Sequence, residues 1–149
     1  MSILYVRFSR EQVFKYVYAQ SAWHCAHHTD ARIITADQQK LLLVKLCEGI
    51  ADFLERFDGY IESSTVPTLV SPDLIFLSID FKFNREKSEN YQESLKQNII
   101  ALLANFILMK IYTDANDQSS KALAEIFGNE WRRLRSKIMM SFSVEQLGR

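Results

Sequence analysis

The chain has 149 residues, 48% hydrophobic and 24% charged, a balance that fits one globular domain around one core better than two. Eighteen basic side chains balance eighteen acidic ones, so a whole-protein positive field for nucleic acid or an anionic membrane is excluded and only a local patch could serve. Four glycines and two prolines favour long helices over a many-stranded sandwich, and two cysteines are too few for a disulfide framework.

The first residues, Met1 to Arg7, have the pattern of neither a signal nor a transit peptide, so a soluble protein made inside the cell is expected. A first helix is predicted from Ser9 to His28. Ser9 followed by Gln12 is a capping-box pattern, and Val13, Val17, His24 and His28 share one side. A second helix is predicted from the Thr35–Gln38 capping-box pattern to Ile61. Leu42, Leu46, Ile50, Phe53 and Phe57 gather in one arc, and Lys45, Glu48, Asp52, Glu55 and Arg56 fill the rest.

Then the period changes. Ile75, Leu77, Ile79, Phe81 and Phe83 alternate with Ser78, Asp80 and Lys82, the pattern of a half-buried strand. Ser71-Pro72-Asp73 reads as a turn, which makes Thr65 to Val70 the expected hairpin partner. A lone hairpin is marginal, so it must pack on helices or pair with another chain.

A third helix is predicted from Asn90 to Thr113. Its "IIALLANFILMKIY" is apolar on almost every side, as suits either the central helix of the domain or a partial subunit interface. The run from Ile99 to Tyr112 contains Asn105 and Lys110 and reads as too short to span a bilayer. A fourth helix starts at Ser119 or Ser120, with Leu123, Phe127, Trp131, Leu134 and Ile138 as its stripe. The expected fold is mainly α, about four helices with one β-hairpin between the second and third. It forms a single domain over residues 1–143, hairpin near 65–84, with a flexible tail at 144–149.

All three histidines lie in "WHCAHH", Trp23 to His28. His24 and His28 share a helix face and could hold zinc or nickel, but such a site needs a third and usually a fourth ligand. Only Cys25, Asp30 or Cys47 could complete it within the chain, so half-buried histidines and no metal are expected. No nucleophile elbow, glycine-rich phosphate loop or Walker pattern occurs, and no catalytic residue or cofactor is expected. Glu48, Asp52 and Glu55 alternate with Lys45 and Arg56 as a solvated helix face would. The sharpest charge feature is "WRRLRSK". Arg132, Arg133, Arg135 and Lys137 suit a helix C-terminus, and they also suit contact with phosphates or an acidic protein.

The layout, carried by "ITADQQKLLLVKLCEGIADFLERFDGYI", "DFKFN" and "NIIALLANFILMKIY", resembles the small head–tail connector (head completion) proteins of tailed phages. Asp58 to Ile61 is similar to the turn that closes a helix in that family. The resemblance implies a structural virion protein without enzymatic activity. Copies would form a ring that bridges portal and tail proteins, with DNA passing through the channel without sequence readout and no membrane involved. On that reading the strand bearing Ile75, Leu77, Ile79, Phe81 and Phe83 would pair between subunits, and Arg132, Arg133, Arg135 and Lys137 would face DNA or the portal. The alternative reading is a nucleic-acid-binding regulator that uses the basic fourth helix.

Overall fold

The computed structural model describes residues 1–28 and 30–147, the side chains of 144–147 excepted. Its elements follow the order β1 (Ser2–Ser9), α1 (Arg10–Cys25), α2 (Gln39–Arg56), β2 (Ile61–Thr65), β3 (Phe76–Phe83), α3 (Glu89–Asp114) and α4 (Gln118–Leu147). Single 3-10 turns at Ala36–Gln38 and Asp58–Tyr60 precede α2 and β2. The fold is mainly α with a small antiparallel sheet, as the composition implies.

The sheet differs from the expected hairpin. It has three strands in the order β1-β3-β2, so β3 is its centre. The partner beside β3 is Ile61–Thr65 and not Thr65 to Val70, because the second helix ends at Arg56, five residues short of Ile61. The second neighbour, β1, is not among the elements expected above. Leu4, Val6 and Phe8 are buried while Tyr5 and Arg7 face out, a period-two signal present in the first nine residues. Its register pairs Ser2 with Phe83 and Ser9 with Phe76. On the outer face Arg7 Nη1 donates to Asp80 Oδ1 at 2.6 Å and Ser63 Oγ donates to Asp80 Oδ2 at 2.9 Å, so one carboxylate ties all three strands.

Helix starts follow side-chain chemistry. Ser9 Oγ accepts from Gln12 N at 3.3 Å and Gln12 Oε1 accepts from Ser9 N at 2.8 Å, the reciprocal pair anticipated there. At α3 the cap is Ser88, which accepts from Tyr91 N at 3.1 Å, so the helix opens one residue before Asn90. At α4 it is Asp117, whose Oδ1 accepts from Ser120 N at 2.7 Å and Oδ2 from Ser120 Oγ at 2.8 Å. Those bonds hold the Asp117 carboxyl below its ordinary range. The first helix stops at Cys25, three residues short of His28. The fourth runs on to Leu147 through part of the region expected to be a flexible tail; Gly148 and Arg149 lie outside the described residues.

The centre of the molecule is α3. It packs on α1, α2, α4 and β1, which is why its apolar residues surround it. Among them Ile99, Leu103, Ala104, Ile107 and Leu108 are almost wholly buried. By length and composition alone this 26-residue helix is long and apolar enough to cross a bilayer, and 61% of its apolar window is buried within the chain. Gly49 lets α2 come close: a Cβ there would stand 2.8 Å from the Phe106 ring. Under the sheet, Phe142 of α4 stacks on Tyr60 (ring centroids 4.8 Å apart) and Phe83 (5.3 Å), closing the core against α4.

Candidate functional site

The basic segment lies in the middle of α4, which runs on to Leu147, so it does not stand at a helix C-terminus as its charges had suggested. Arg133 binds Glu130 through two bonds, Nε to Oε2 at 2.9 Å and Nη2 to Oε1 at 2.5 Å, which lowers the Glu130 pKa. Arg132 Nη2 donates to Asn129 Oδ1 at 2.5 Å. The Arg135 guanidinium sits 4.6 Å from the Trp131 ring centre, and Arg56 of α2 lies 5.5 Å from the same ring. Lys137 is exposed on the same stretch. Within the segment only Arg133 is paired with a carboxylate; Arg132, Arg135 and Lys137 keep their positive charge.

The histidines do not form a metal shell. No group of three or more His, Cys, Asp or Glu side chains with ligand geometry occurs among the described residues. His24 is half-buried, with its ring edge-on to Phe127 at 4.9 Å and to Trp23 at 4.8 Å. Burial, and to a lesser degree His28 and His27, lower its pKa. Cys25 and Cys47 are buried free thiols, and burial raises the pKa of Cys47.

Beside the histidines lies a polar knot. The Tyr112 hydroxyl of α3 donates to Arg32 O at 2.9 Å and lies 2.7 Å from Ser21 Oγ and 3.4 Å from Cys25 Sγ. Ser21 Oγ also accepts from Ile34 N at 2.8 Å. The knot pins the α1–α2 connection, through Arg32 and Ile34, to both α1 and α3. Burial, and next the bond with Cys25, push the Tyr112 pKa far above its ordinary value.

The expected intersubunit strand is corrected here. Both main-chain edges of β3 are already hydrogen-bonded, to β1 and to β2. Leu77, Ile79, Phe81 and Phe83 are buried in the core, and only Ile75, which precedes the strand, is exposed. A central strand cannot add another chain, because its N–H and C=O groups are spent.

The unpartnered apolar surface is next to that strand, in the β2–β3 connection. Leu69, Val70, Leu74, Ile75 and Phe76 all face solvent, Val70 with 96% and Phe76 with 70% of its surface exposed. Thr68 N donates to Ser71 O and Ser71 N to Thr68 Oγ1, both at 3.0 Å, so Leu69 and Val70 cap a closed turn. Arg10 anchors the base, its N donating to Ile75 O at 2.9 Å and Nη1 to Pro72 O at 3.2 Å. Leu69 and Val70, expected at the end of the hairpin partner, lie instead beyond β2, and Leu74 and Ile75 precede β3. The run of five apolar residues in Leu69–Phe76, broken only by Ser-Pro-Asp, was the available signal.

No family model matches this chain, and neither a curated protein nor a solved structure shows significant similarity to it.

Proposed function

We propose that the protein is a structural assembly subunit whose copies associate through the β2–β3 tip, in the ring expected of a phage head–tail connector that bridges portal and tail around DNA. The observation that supports this is the tip itself: five exposed apolar side chains, two of them on a turn closed by its own hydrogen bonds. A monomer gains nothing from that arrangement, whereas burial in a neighbour is worth about 25 cal/mol per Å² of apolar surface. Zero formal net charge adds little repulsion between copies. The outer edge of β2 offers unpaired main-chain groups beside the tip, the role first assigned to β3.

Light scattering on the purified chain, alone and with a portal protein, tests the reading. A mass well above the 17.4 kDa of one chain is expected with the portal, and a Leu69→Ser/Val70→Ser variant should stay at one chain's mass. A wild-type chain that remains monomeric and ignores the portal defeats it. Of the four cations the regulator alternative would use, Arg133 is paired with the Glu130 carboxylate, while Arg132 and Arg135 meet the uncharged Asn129 and Trp131 and keep their charge. That alternative predicts salt-sensitive DNA binding that an Arg132/Arg133/Arg135→Ala variant loses.

A further inference from the structure

A cleft of about 560 Å³ opens between the C-terminal end of α2 and the second half of α4. Arg56 stands on one side of it, and Arg135, Met139, Met140 and Ser143 on the other. Arg135, Met139 and Ser143 follow one another at four-residue intervals, so they share one side of α4. Among the described residues that line the cleft none is acidic.

Two features say what would fill it. One is apolar surface: Met140 leaves 65% of its area in water, and a flexible thioether chain adapts to whatever covers it. The other is charge. The guanidinium groups of Arg56 and Arg135 both lie against the Trp131 ring, 5.5 and 4.6 Å from its centre, which keeps them close together. Arg56 also meets Asp52 through two bonds, while Arg135 keeps its charge. The cleft therefore suits an apolar segment that carries a carboxylate.

The tip is such a segment. Asp73 is exposed there between Leu69-Val70 and Leu74-Ile75-Phe76. One copy's tip does not reach its own cleft. Phe76 stands at the end of β3 that pairs with Ser9, whereas Phe142, beside the cleft residues on α4, stacks on Phe83 at the other end. The length of β3 between Phe76 and Phe83 is roughly 23 Å at about 3.3 Å per residue. Contact between tip and cleft is then head-to-tail. It uses two different patches, and repeated around an axis it closes into a ring, whereas a tip-to-tip contact would stop at two chains. We infer that the tip of one copy seats in the α2–α4 cleft of the next, with Leu69 and Val70 against Met139 and Met140 and Asp73 beside Arg135. The inference rests on the assembly reading and names the other half of the contact.

Light scattering tests it under the condition, alone or with the portal, in which the wild-type chain assembles. Met140→Glu puts a carboxylate in the cleft and leaves the tip intact, so it should stay at one chain's mass as Leu69→Ser/Val70→Ser does. Asp73→Arg and Arg135→Glu should each raise the concentration needed for assembly about tenfold, and the double variant should recover most of that loss. Should Met140→Glu not fold, the charge swap carries the test. A folded Met140→Glu that assembles like wild type puts the tip on another tip or on the portal; this overturns the inference and leaves the assembly reading standing. A double variant no better than either single one also overturns it. A wild-type chain that stays single under both conditions defeats the inference and the assembly reading together.

Discussion

Around Tyr112 the chain buries polar groups, and at the β2–β3 tip it exposes apolar ones. The two regions differ in whether the exception is resolved inside the molecule. Each polar atom of the knot meets another: Ser21, Arg32 and Ile34 supply the partners of one hydroxyl and of one another. Such a network makes one arrangement of the α1–α2 connection much better than its rivals. At the tip the main chain is satisfied and the side chains are not. The knot therefore points to stability and the tip to association.

Several measurements break or sharpen that contrast. The largest effect is expected from Tyr112→Ala, which removes a fully buried ring and the hub of the knot. Urea unfolding should show a loss of about 3–5 kcal/mol, and a loss below about 1 kcal/mol would mean the knot is incidental. Tyr112→Phe keeps the ring and strands its partners, so about 1–3 kcal/mol should be lost.

The alkaline limb of stability comes next. Tyr112 holds its proton more tightly folded than unfolded, so its contribution is fully present below pH 10, tyrosine's ordinary pKa, and is lost as pH rises beyond it. Wild type should therefore lose more stability above pH 10 than Tyr112→Phe does, and equal slopes would refute the assignment. At the tip, Leu69→Ser/Val70→Ser should change monomer stability by no more than about 0.5 kcal/mol while abolishing self-association. A large stability loss there would show that the tip packs inward.

The smallest effect belongs to His24. Its pKa is lowered in the folded state, so its contribution is present above about pH 6.5 and fades as pH falls below that value. A His24→Leu variant should show a shallower acid limb in thermal melts between pH 7 and 5.

Legibility followed the range of the interactions. The α2 arc of Leu42, Leu46, Ile50 and Phe53 is buried as its spacing predicts, because a helix places i, i+4 and i+8 on one side regardless of context. The Ser9 box forms because its partners are three residues apart. The alternation in β3 is equally local and held, with Leu77, Ile79, Phe81 and Phe83 all inward. What covers those faces was not legible. The partner of β3 is a strand about 75 residues earlier in the chain, and nothing in either segment states the register Ser2 to Phe83.

By itself the sequence determined the helical majority, the Ser9 cap, the apolar stripes and the zero net charge, since propensity, periodicity and charge act within a few residues. Only the tertiary structure decided that β3 is a centre rather than an edge, that Tyr112 gathers Ser21, Cys25 and Arg32, and that Leu69 to Phe76 stay in water. The reason is that a pattern states which side of an element is apolar, while packing between distant segments settles which of those sides find a cover.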